Sequence, residues 1–128
     1  MADREIASAW LADLRGGKFK YGRGALCSAQ GYCPLGILSE RIAPDPRVKA
    51  TGWRWDGIAW VDGKERDAGS IPWDAWKAIG FNTETPSTGF IAKHSDAGDT
   101  FETIADYIEL ALSGVTVEDR SPAGRSGS

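Results

Sequence analysis

The segment TGWRWDGIAWVDGKER, residues 51–66, limits the possible folds more than any other part of the chain. Two Asp-Gly pairs, Asp56-Gly57 and Asp62-Gly63, interrupt a run of aromatic and β-branched residues. Asp-Gly suits a two-residue type I′ hairpin turn, whose central positions both need positive φ. Pairing across Asp56-Gly57 sets Trp55 opposite Ile58 and Trp53 opposite Trp60. All four side chains then share one face, and Arg54, Ala59 and Val61 take the other. A second turn at Asp62-Gly63 returns a third strand through Lys64 to Arg66. The expectation is a small antiparallel meander with one aromatic, mostly buried face.

Helical periodicity flanks this meander. Ile6, Ala7, Trp10, Leu11 and Leu14 fall on one stripe of residues 4–15, with Asp3 as N-cap and Gly16-Gly17 as the stop. Pro34 suits the first turn of a second helix, whose apolar positions are Leu35, Leu38 and Ile42. SIPWDAWKAIG reads as a short helix with Pro72 in its first turn and Gly80 as its end. FNTETPSTGFIAKHSDAG reads as loop, with GFIA an edge strand. In DTFETIADYIELAL, Asp99 and Glu102 have capping-box spacing ahead of a stripe of Phe101, Ile104, Ala105, Ile108 and Leu112. After Gly114 the chain carries too little apolar surface to order itself. The expected fold is therefore α+β: about four helices packed on a small antiparallel β-meander. It forms one compact domain over residues 1–114, with a disordered tail at 115–128.

At 128 residues, 41% hydrophobic and 26% charged, the chain can build a core without metal or disulfide staples. No stretch reaches the ~18 consecutive apolar residues of a membrane span. The start, MADREIASAW, has no apolar h-region, so the expected setting is a reducing cytosol, where a structural disulfide is disfavoured. The net charge of −3 argues against general nucleic-acid binding. Its distribution is uneven. From Leu14 through Ser39 there are four cations (Arg15, Lys18, Lys20, Arg23) and no acid, and from Gly98 through Asp119 there are six acids and no Lys or Arg.

The basic stretch RGGKFKYGRG is the first candidate site. Its glycines let backbone amides approach an anion, its cations attract one, and Phe19 and Tyr21 offer stacking faces for a base. The candidate ligand contacts are Arg15, Lys18, Lys20, Tyr21 and Arg23, with Trp53 as a further aromatic surface; the bland reading is a solvated connection. Asp99, Glu102, Asp106 and Glu109 share a helix face, which is either solvated or a phosphate-mimicking stripe for a basic partner. Cys33, at a helix start with His94 and Asp96 elsewhere, permits a Cys-His-Asp hydrolase on paper. Neither cysteine lies in a nucleophile signature, and buried small apolar residues account for both. One Cys-x5-Cys and one histidine fall short of a four-ligand zinc site. No catalytic residue, metal or cofactor is assigned.

Four motifs, in order, resemble a group of small proteins encoded by tailed bacteriophages and prophages. They are W-x3-L-x-G-G-x-F/Y at Trp10 to Phe19, G-x-G-x-L at Gly22 to Leu26, YC-x-LGIL at Tyr32 to Leu38, and SDAGDTFETIADYIE at Ser95 to Glu109. Relatives tend to carry a second cysteine where Pro34 stands and an asparagine where Ser95 stands, and His94 is outside the pattern. The resemblance carries no reaction. It implies a bacterial-cytosol setting and an accessory role against a host or antiviral-defence component. The expected function is thus non-catalytic binding of a host or defence protein, or of an anionic signalling nucleotide. The alternative is the hydrolase using Cys33.

Overall fold

The computed structural model describes residues 3–22, 25–81, 86–118 and 120–122. Helix α1 (Arg4–Arg15) opens where the Asp3 side chain accepts hydrogen bonds from the Glu5 and Ile6 amides, each at 3.0 Å. These bonds satisfy two of the amides a helix start leaves orphaned. A two-stranded ribbon of β1 (Cys27–Ser28) and β2 (Gly31–Tyr32) follows, then α2 (Pro34–Ile42) and the single turn α3 (Pro46–Lys49). A three-stranded antiparallel sheet, β3 (Arg54–Trp55), β4 (Trp60–Val61) and β5 (Arg66–Asp67), precedes α4 (Trp73–Ala78), α5 (Thr88–Asp96) and α6 (Phe101–Leu112). The fold is the expected α+β class, with six helices and two small antiparallel sheets among the described residues. No helix among them is long and apolar enough to cross a membrane.

Helix α1 packs between α2 and α6, and α5 packs against both α2 and α6. Their buried faces enclose Trp10, Leu38, Ile42, Ile91, Ile104 and Ile108. Surface ion pairs register the helices: Arg41 forks onto Asp13 at 3.0 and 2.8 Å, joining α2 to α1. Arg47 reaches both Asp45 and Asp3, joining α3 to the start of α1. The Asp3 carboxyl sits below its ordinary range, first through the Ile6 amide and then through Arg47.

The meander forms, but in a different register. Trp55 pairs with Trp60 and Arg54 with Val61, two positions away from the expected Trp53–Trp60 pairing. The cause is Asp56, whose side chain accepts from the Ile58 and Ala59 amides at 2.9 and 2.8 Å while its own amide donates to the Ala59 carbonyl. That Asx turn closes a longer loop over residues 56–59. Only Gly57 in it takes positive φ, at 98°, so the type I′ geometry is not adopted. These amides and Arg66 hold the Asp56 carboxyl at about 2. The face is consequently split: Trp60 is fully buried, Trp53 and Trp55 are half-buried, and Ile58 is exposed.

Three further expectations change. GFIA is helix, not edge strand. The Ser87 hydroxyl caps the Phe90 amide at 3.1 Å, and α5 buries Phe90, Ile91, His94 and Ser95. Helix α6 is capped by Thr100, because Asp99 is turned inward against His94. The segment after Gly114 is not disordered throughout. Val117 is buried, Glu118 accepts from the Ser87 amide and hydroxyl at 2.7 and 3.1 Å, and the Arg120 carbonyl lies 3.1 Å from His94 Nε2. Residues 123–128 lie outside the described residues.

Two stability outcomes follow from this packing. Truncation after Gly114 uncovers the core against Val117 and should cost about 2 kcal/mol, read as a melting temperature lowered by several degrees. A Cβ at Gly36 would meet the Leu26 carbonyl oxygen at 1.8 Å, and Leu26 is itself pinned by backbone bonds to Ala68 and Cys33. Gly36→Ala should therefore exceed the ~1–3 kcal/mol usual for overpacking, and chemical denaturation should show a severely destabilised chain.

Candidate binding site

The basic stretch is dismembered by its own alternation. Residues 20–22 run beside β2, with the Tyr32 amide donating to the Lys20 carbonyl at 2.7 Å and the Gly22 amide to the Tyr32 carbonyl at 2.8 Å. In extended chain, successive side chains point to opposite sides. Lys18 and Lys20 are accordingly exposed, while Phe19 and Tyr21 are half-buried. Phe19 meets the Tyr32 ring edge-on at 5.2 Å, and Tyr21 meets Phe101 at 5.8 Å and donates its hydroxyl to the Ser95 carbonyl. The cavity beside these rings, about 310 Å³, has Asp99 and Glu102 as its charged lining residues.

Arg15 turns away from this stretch to the acidic stripe of α6. Its guanidinium lies 3.4 Å from Glu102, 2.6 Å from Asp106 and 3.1 Å from Glu109. Three of the four stripe acids thus hold α1 against α6, and the fourth, Asp99, is buried. Arg23 lies outside the described residues. The structure brings Phe19 and Tyr21 together at one cavity but places Trp53 elsewhere.

Trp53 stands between two other clefts. One, of about 360 Å³, is lined by Ala43, Lys49, Trp53, Arg54 and Trp55. The other, of about 320 Å³, includes Glu65, Arg66, Asp67, Trp73 and Asp74 beside the same Trp53. Trp55 is held in place by its indole N–H, which donates to Glu40 at 2.8 Å, and by Trp60 at 5.6 Å between rings. Trp73 is 58% exposed, with the Lys77 ammonium 5.7 Å from its ring centre. Neither Lys49 nor Arg54 has an ion pair among the described residues, whereas Arg66 is bound to Asp56 at 2.7 Å. Sequence reading missed Lys49 and Arg54 because the charges around them are mixed. The isolated cations emerge only once the chain has paired their neighbours.

The Cys33 reading meets a different environment from the one it needs. Both cysteines are free, and Cys33 is buried at the N-cap of α2. Burial pushes its thiol above the ordinary value, outweighing the helix-start amides that favour the thiolate. His94 is enclosed between Phe90, stacked at 4.0 Å, and Tyr107 at 4.9 Å. Its Nδ1 lies 2.7 Å from Asp99 and its Nε2 faces the Arg120 carbonyl. Both ring nitrogens are engaged, and the carboxylate partner is Asp99, not Asp96. The described residues contain no group of His, Cys, Asp or Glu suited to holding a metal ion.

No family model, curated protein or solved structure matches the chain. The phage resemblance rests on its sequence motifs alone.

The cysteine environment sets a pH dependence. A thiol raised by folding leaves stability intact below the unfolded value, 9.0, and lowers it as pH climbs through that value toward the folded one. Denaturant midpoints measured from pH 7 to pH 10 should fall at the alkaline end, and Cys33→Ala should flatten that fall. Thiol titration of the native protein should show Cys27 reacting first and Cys33 only on unfolding.

Proposed function

We propose that this chain is a non-catalytic binding protein, a phage-type accessory protein of the bacterial cytosol that acts on a host or antiviral-defence component. Its target is either a protein or an anionic nucleotide-type small molecule. One observation carries the reading: Trp73 is 58% exposed across a cleft from half-buried Trp53, and a second cleft runs from Trp53 to Trp55. Large aromatic side chains left to water cost burial energy, and where they border clefts they supply the anchors that dominate binding. The motif resemblance supports the accessory role. A buried thiol and a histidine occupied at both nitrogens give the hydrolase reading no activated nucleophile.

Native mass spectrometry of the chain purified from infected or defence-carrying bacteria tests the reading. The wild type should carry added mass, a few hundred daltons for a nucleotide or tens of kilodaltons for a protein. Trp73→Ala, at an exposed position, should melt within the scatter of surface variants and lose most of a protein partner. Wild type with no added mass under any condition overturns the proposal.

A further inference from the structure

We propose that the C-terminal segment through Val117, Glu118 and Arg120 is a pH-sensitive strap, closed over His94 while the His94–Asp99 pair holds two protons and lifted at Arg120 when the pair loses one. The inference stands apart from the binding reading above and rests on a different part of the molecule.

A neutral imidazole has one N–H and one bare nitrogen. In His94 both nitrogens face acceptors: Nδ1 lies 2.7 Å from the Asp99 carboxylate, and Nε2 lies 3.1 Å from the Arg120 carbonyl. Both side chains are fully buried, so a bare nitrogen at either place would set lone pair against lone pair with no water between. Two protons satisfy both contacts, as an imidazolium beside a carboxylate. A neutral ring that donates from Nε2 and accepts from a protonated Asp99 holds the same two protons and makes the same strap contact. With one proton, the nitrogen facing the carboxylate keeps it, because the charge-assisted bond is the stronger one. The Arg120 carbonyl then loses its donor.

The other charges around α5 are committed elsewhere. From α2, Glu40 takes the Trp55 indole N–H, Arg41 is bound to Asp13, and Cys33 feels Asp96. From α6, Glu102, Asp106 and Glu109 hold Arg15, and Tyr107 meets the His94 ring at 4.9 Å. On α5 itself, Lys93 and Asp96 are exposed. The Asp99 amide donates to the His94 carbonyl at 3.0 Å, so the backbone holds the pair together whatever the strap does.

The strap is built to lift at one end. Val117 is buried, and Glu118 accepts from the Ser87 amide and hydroxyl at the start of α5. Neither contact involves the histidine, so both tether the segment when the Arg120 contact is lost. The closed strap binds one more proton than the lifted one, so acid favours closure and rising pH opens it. Opening bares the Nε2 edge of a ring otherwise enclosed by Phe90 and Tyr107.

The test is NMR of the full chain from about pH 5.5 to about pH 8.5, a range in which imidazoles titrate. It follows the His94 ring nitrogens and the exchange protection of the Arg120 amide, which donates to the Val117 carbonyl at 3.0 Å. At the acid end Nε2 should carry a proton. As pH rises, Arg120 protection, corrected for intrinsic base catalysis, should fall by up to ~tenfold per pH unit in step with the His94 ring, while the amides of α1 stay protected. Cys33, raised above 9.0, titrates beyond this range. Asp99→Asn separates a proton latch from packing alone. The asparagine amide donates to a bare Nδ1 and leaves the single ring proton on Nε2, so the strap should stay closed and its pH dependence should vanish. Strap protection that ignores the state of His94 overturns the proposal. So does a closed strap with Nε2 unprotonated, or an Asp99→Asn chain with the wild-type pH dependence. If Asp99→Asn fails to fold, the wild-type titration decides.

Discussion

The indole nitrogen of Trp10 is a single polar atom inside the helical core, and where it finds its acceptor sets how the helices meet. Trp10 is fully buried, and its N–H donates to the Pro34 carbonyl at 2.9 Å. An unmet donor there would cost roughly 1–3 kcal/mol, so α1 must lie against the first turn of α2. The ring also stacks on Phe81 at 6.0 Å and receives the edge of Trp76 at 6.4 Å, which draws α4 and the chain after it to the same point. The sheet is tied in by the same logic. Trp60 donates its indole N–H to the Ser39 hydroxyl at 2.8 Å, and that hydroxyl in turn donates a hydrogen bond to the Leu35 carbonyl at 2.8 Å. One buried indole, Trp60, and one serine therefore position the meander on α2. The outer tryptophans, Trp53 and Trp55, are left at the rim because the inner place is taken.

The close backbone approach at Gly36 belongs to this arrangement. With Trp10 drawing α2 inward and Cys33 donating its amide to Leu26, no room remains between α2 and the chain at Leu26 for a side chain. The motif YC-x-LGIL, which contributes to the phage resemblance, thus has a structural explanation: its glycine is the contact surface. The same holds for SDAGDTFETIADYIE. Ser95 receives Tyr21 through its carbonyl, and Asp99 meets His94 beneath the C-terminal segment. These motif positions are occupied with building the fold.

Much of the fold could be read from the chain because periodic elements with ordinary caps obey local rules. Helices α1, α2, α4 and α6 form where apolar spacing, prolines and stop glycines place them, and the meander forms where the Asp-Gly pairs and tryptophans place it. The misreadings occur where a side chain had two local uses. Asp56 could serve a type I′ turn or cap its own loop, and capping shifted the register by two residues. Asp99 could cap α6 or pair with His94, and pairing moved the cap to Thr100. GFIA is too short an apolar run to separate strand from helix by period; the Ser87 cap and the burial of His94 decided it. The segment beyond Gly114 looked too polar to order, yet one valine, one glutamate and a backbone carbonyl suffice to hold its first part against α5.

The candidate site was less legible because charge in this chain is assigned by pairing across space. Read along the sequence, Arg15 to Arg23 is the basic region; in the fold Arg15 is clamped by three acids of α6, and the lysines diverge from the aromatic rings they alternate with. Arg41, Arg47 and Arg66 are likewise each committed to a carboxylate, so guanidinium groups here serve chiefly as braces between elements. Arg54 breaks that pattern. It has no ion pair among the described residues, and as the strand neighbour of Trp55 it takes the opposite face of the short sheet. A brace would have its partner already.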